Sequence, residues 1–149
     1  MTEAHEIEAG ALALAISWGY ADLSDAVSWA DQVIICSDTL SDALIDLSLA
    51  KGAPDALSHL NILSRNADFR SVVLKLFERL SSVQSLSPAE ASNLAKHLYV
   101  LSQKVDAPEF LAPFASHWDA IDLAISGVFD SPEKTVQAFL DDIMRVAQL

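Results

Sequence analysis

Apolar residues recur at helical spacing along the whole chain. Ile7, Ala11, Leu14 and Ala15 follow i, i+4, i+7, i+8. Leu23, Ala26, Val27, Ala30, Val33 and Ile34 repeat the pattern, as do Leu40, Ala43, Leu44 and Leu47. A fourth segment places Leu57, Leu60 and Leu63 after Pro54, a residue suited to the first turn of a helix. A fifth is predicted over 67–83, with Phe69, Val73, Leu76, Phe77 and Leu80 turned inward.

Three further helices carry their own punctuation. Ser87-Pro88-Ala89-Glu90 combines a capping hydroxyl, a proline at the first helical position and a glutamate able to bond back to the cap. Leu94, Leu98 and Leu101 form the stripe that follows, and Ala107-Pro108 ends it. Pro113 is expected to break or kink the chain. A seventh helix carries Phe114, Trp118, Ile121 and Ile125 and stops near Gly127, a natural left-handed cap. Ser131-Pro132 opens the last, with Val136, Phe139, Leu140, Ile143 and Ala147 inward. No segment alternates at period two, and no repeat length recurs. The pattern predicts an all-α protein: an antiparallel bundle of seven to eight helices, one domain over 1–149.

Composition narrows the function classes. Hydrophobic residues make up 52% of the 149 and charged residues 20%, with four Gly and five Pro, which excludes a disordered or linker-rich chain. The net charge of −12 argues against binding nucleic acid or an anionic membrane, since both need surplus cations. The charge is also uneven. Residues 1–50 hold nine acids and no Lys or Arg, residues 51–104 carry +3, and residues 105–149 carry −6. Such asymmetry points to an interaction surface. The acidic start, Met1-Thr2-Glu3, shows no basic signal region, and the apolar run from Ala9 to Ala21 is too short to span a bilayer. Cys36 has no partner for a disulfide. A cytoplasmic protein is expected.

Two groups of residues stand out as candidate contacts. Asp38, Asp42 and Asp46 fall at i, i+4, i+8, a column on one helical face with Asp38 as candidate cap and Asp42 favouring the helix dipole. Like charges four apart cost about 0.2–0.5 kcal/mol per pair, so the column is either a solvated face or a partner-binding one. Trp29 shares the side of Asp22, Asp25 and Gln32 at the edge of its stripe. It reads either as half-buried packing or as the aromatic anchor for a basic partner. Trp18 and Trp118 read as core. Asp119 and Asp122 form a possible second acidic patch.

Signals for catalysis are missing. His5, His59, His97 and His117 are scattered, and no metal-ligand spacing, phosphate loop or dinucleotide-binding glycine pattern occurs. Asp55 and His59, four apart, fit a helix-surface hydrogen bond better than a catalytic dyad. The aspartate column imitates the Mg²⁺-binding helices of isoprenoid synthases, but those need two such motifs around a large cavity, and the chain is short for that. Cys36, between Ile35 and Ser37, reads as a buried small hydrophobe. No enzyme activity, metal or cofactor is expected.

The N-terminal third resembles small acidic helical bacterial immunity proteins, which protect cells against polymorphic or contact-dependent growth-inhibition toxins. The resemblance rests on Gly19-Tyr20, Val27-Ser28-Trp29-Ala30-Asp31 and Ala43-Leu44-Ile45-Asp46-Leu47-Ser48, over roughly residues 15–50. It implies a cognate toxin domain as partner, commonly a basic nuclease, blocked by a carboxylate-rich surface. An adaptor or oligomerisation domain is the alternative, marked by self-association through an exposed apolar patch. A small helical enzyme would need a pocket with perturbed titrating groups.

Overall fold

Short polar side chains set most of the helix starts. Thr2 caps α1 (Glu3–Ser17), accepting from the His5 backbone N–H while His5 Nδ1 accepts from that of Thr2. Asp22 caps α2 (Leu23–Cys36), Ser41 caps α3 (Asp42–Ser48), and Gly52 precedes α4 (Ala53–Leu63), with Pro54 in its first turn. At the start of α5 (Phe69–Leu80) Asp68 accepts from the hydroxyl and backbone N–H of Ser71, bonds that hold its carboxyl below the usual range. The predicted box of Ser87 and Glu90 opens α6 (Pro88–Ser102), and the N–H and hydroxyl of Ser87 lower the Glu90 pKa likewise. After a short 3₁₀ turn, Glu109–Leu111, come α7 (Phe114–Ile125) and α8 (Pro132–Ala147), the latter capped by Ser131.

The structure, a computed structural model, describes residues 1–128 and 130–149. Eight α-helices and no strand occur among them, as the periodicity predicts. The expected glycine stop is present at the end of α7. Gly127 takes φ +76°, and Val128 N–H reaches back to Leu123 C=O while Gly127 N–H reaches Ala124 C=O. Gly19, at φ +82°, closes α1 in the same way through Tyr20 and Ala15. Pro113 kinks nothing; it sits just before α7, where its missing N–H costs no helical bond. Helix α5 is shorter at both ends than the predicted 67–83. Leu40 and Ile125, expected inward, are exposed.

The packing gathers into two compact units, 1–76 and 77–149, divided within α5. In the first, α1 packs chiefly on α4, and α3 lies against α2 and α4. Its core is rich in small residues: Ala9, Leu12, Ala13 and Ile16 meet Ala26, Ala30, Val33, Leu44, Leu47, Ala56, Leu60 and Leu63. In the second, α6 packs on α7 and α8 around Phe77, Phe110, Phe114 and Phe139.

Gly10 shows how close α1 comes to its neighbours. A Cβ there would lie 2.9 and 3.0 Å from the two methyls of Val72 and 3.3 Å from Ser64 Cβ. Alanine would gain up to about 1 kcal/mol of helix propensity, against about 1–3 kcal/mol for overpacking beside a stiff, buried valine. We expect Gly10→Ala to lower the melting temperature, and Gly10→Ala with Val72→Ala to recover part of the loss. A stabilised Gly10→Ala protein would show that the contact yields freely.

A second expectation concerns His97 on α6. Burial first, and then the charge of Lys96, lowers its pKa from the ordinary 6.5, so the fold holds the neutral imidazole. The unfolded chain takes up a proton as pH falls through 6.5, and this contribution declines from there to the lowered folded-state pKa. Between about pH 7.5 and 5.5, urea titration should show less loss of stability for His97→Gln than for the parent. Equal losses would assign the pH dependence to other groups.

Candidate protein-binding face

Helix α2 begins with two of the candidate aspartates, and both work for the helix itself. Asp22 Oδ1 accepts from the Asp25 backbone N–H at 3.0 Å, and Asp25 Oδ2 accepts from that of Asp22 at 2.9 Å. This reciprocal box uses aspartate in both roles, whereas the sequence signature is Ser or Thr followed by Glu or Gln. The two carboxylates remain at the surface, next to the exposed side of α2 formed by Ser28, Asp31, Gln32 and Ile35.

Trp29 lies at the edge of the apolar stripe, as its position predicts. The ring is half-buried against the core of the first unit, and its indole N–H donates to Glu8 Oε2 on α1 at 2.8 Å. Its polar tip is therefore already engaged. Trp29→Phe should cost about 1 kcal/mol, a hydrogen bond to a partly solvated carboxylate, and Trp29→Ala roughly 2 kcal/mol or more through lost packing. Thermal melts of both variants check this; an unchanged melting temperature for Trp29→Ala would mean that the ring contributes nothing to the core.

The aspartate column is corrected by the start of α3. Asp38 lies in the 37–41 connection, outside the helix, and the cap is Ser41, whose Oγ accepts from Leu44 N–H at 3.2 Å. Only Asp42 and Asp46 share a helical face. With Leu44 and Leu47 fully buried, the opposite side of α3 presents Asp42, Ile45, Asp46 and, at its C-terminal end, Leu49 within an arc of roughly 100°. Leu49 is 68% exposed and Ile45 37%, and at the end of α2 Ile35 is 82% exposed. Cys36 beside it is also exposed, which corrects the expectation of a buried thiol. It falls on the polar side of α2, a turn beyond Gln32. Among the described residues Asp31, Asp38, Asp42 and Asp46 form no ion pair, and residues 1–50 contain no Lys or Arg to supply one.

The remaining candidates lie in the second unit. Asp119 is exposed on α7, and Asp122 accepts a hydrogen bond from the Ser92 hydroxyl on α6, so it ties two helices together. Trp118 is half-buried against Tyr99, with ring centroids 5.2 Å apart, and Trp18 is half-buried at the end of α1. Neither is fully core.

One constellation escaped the sequence. His117 Nε2 stands 2.9 Å from Asp142 Oδ2, and Arg145 Nε stands 2.6 Å from Asp142 Oδ1. The imidazole is flanked by Phe114 and Phe139, at centroid distances of 5.5 and 5.6 Å. Asp142 and Arg145 are three apart on α8 and readable as a pair. Their link to His117 depends on how α7 packs on α8, 25 residues away in sequence. The cluster fastens these two helices. Asp55 and His59 meet at 3.1 Å across one turn of α4, as their spacing suggests. Among the described residues no three His, Cys, Asp or Glu come together in a way that could hold a metal ion. No described helix is long and apolar enough to cross a membrane.

Searches against protein-family models, curated proteins and solved structures return no match for this chain.

Proposed function

We propose that the protein is an immunity-type inhibitor: it binds a cognate basic toxin domain, such as a nuclease, in the bacterial cytoplasm and neutralises it by occupation of its surface. The single observation that carries the reading is the exposed side of α2 and α3, where unpaired carboxylates stand beside solvent-exposed aliphatic side chains in a segment without cations. Carboxylates so placed steer a cationic domain into encounter and compete with phosphates for its basic groups. Covering the aliphatics then slows dissociation. No cofactor or catalytic step is needed for that action.

The exposed aliphatics also favour a second reading, an adaptor that assembles through its apolar surface. The two differ in solution. An inhibitor should elute as a monomer and form a stoichiometric complex with a basic toxin domain encoded beside its own gene. An adaptor should self-associate as its concentration rises, and failure to bind any such domain would count against the inhibitor reading.

A further inference from the structure

The outward face of α3 is more specific than a patch of negative charge. Leu44 and Leu47 fix the helix from beneath and Ser41 fixes its start, so Ile45 and Leu49 are held in water in a defined orientation. Asp42 and Asp46 form a row along one side of them. Asp42, in the first turn, suits the helix dipole, but Asp46 stands in the last turn of a seven-residue helix, where a negative charge is unfavourable, and four residues from a like charge. Folding gives no reason for that aspartate or for the two exposed aliphatics. A second copy of the chain is a poor occupant, since residues 1–50 would bring −9 against −9. An anionic membrane is repelled for the same reason.

We infer that the α3 face is a docking surface whose occupant is a cationic protein surface with an apolar stripe of its own, Ile45 and Leu49 supplying the anchor and Asp42 and Asp46 the charged row beside it. This deepens the inhibitor reading and rests on it for the partner's charge. It excludes a mode in which the chain merely imitates a run of phosphates, and it moves the anchor away from Trp29, whose polar tip is held by Glu8.

The test uses the full chain, labelled with a fluorophore at exposed Cys36, and two synthetic peptides of about 18 residues, five helical turns. One carries a Leu stripe with Lys on either side; the other has equal charge with Ser in place of Leu. The protein should bind the Lys/Leu peptide about tenfold more tightly, and Ile45→Ser with Leu49→Ser should abolish that preference. Asp42→Asn with Asp46→Asn should weaken both peptides, whereas Ile62→Ser, at an exposed aliphatic on α4, should change neither. Leu49→Ser alone, at the more exposed site, should remove part of the preference even if the double variant unfolds.

Equal affinity for the two peptides, a preference that survives the double variant, or an equal effect of Ile62→Ser would overturn the inference. So would a dimer of the parent chain that Ile45→Ser with Leu49→Ser converts to monomer. The inhibitor reading fails separately. Growth protection that survives the double variant removes this surface and leaves an inhibitor, while a preserved peptide preference without protection against any toxin leaves the surface and removes the toxin.

Discussion

Phe114→Ala should destabilise the protein by about 3–5 kcal/mol, the cost of removing a buried aromatic from a packed site. Phe114 is fully buried at the start of α7, with ring centroids 5.4 Å from Phe77 and 5.9 Å from Phe139, and it also flanks the His117 imidazole. Its truncation opens a cavity bordered by rings that cannot easily collapse into it, and it loosens the seat of the His117–Asp142 bond. For a chain of this size the melting temperature should fall by roughly 10 °C or more. Calorimetry measures this directly. A fall of only a degree or two would mean that the aromatic cluster is not where the second unit holds its stability.

The second large effect is on binding rate. Replacing Asp42 and Asp46 together by Lys turns two attractive charges on the α3 face into repulsive ones. Association with a basic toxin domain at low salt should slow by about tenfold or more, while dissociation changes little. Stability should barely move. Lys at position 42 loses up to about 1 kcal/mol at the helix start, Lys at position 46 gains a similar amount at its end, and a like-charge pair remains. Stopped-flow association over a salt series checks the steering, since the parent rate should fall steeply with salt and the variant rate less steeply. Identical, salt-insensitive rates would exclude steering by this face.

Much of the architecture was legible because local chemistry and burial agree. Ser87-Pro88-Ala89-Glu90 and Ser131-Pro132 start helices where their capping groups predict, and Gly127 ends one where only a left-handed residue is comfortable. The candidate face was less legible. Spacing put Asp38 in a column with Asp42 and Asp46, but spacing fixes a face only if the helix is already formed, and Ser41 captures the cap. The box formed by Asp22 and Asp25 was hidden by an unusual residue pair, although its spacing of three was visible. Cys36, between Ile35 and Ser37, reads as a small hydrophobe, yet Ile35 itself faces solvent. The pairing of Trp29 with Glu8, and of His117 with Asp142, could not be read from either local sequence, since each depends on which helices become neighbours.

The central claim, that the acidic α2–α3 side neutralises a basic toxin domain, is tested most directly by growth. Cells producing the toxin domain encoded beside this gene would be supplied with the parent chain, with Asp42→Lys plus Asp46→Lys, or with Asp119→Lys plus Asp122→Lys. The account predicts full protection by the parent, loss of protection with the first pair at unchanged protein level and fold, and protection retained with the second. Protection equal for the parent and the first pair, or lost only with the second, would contradict it.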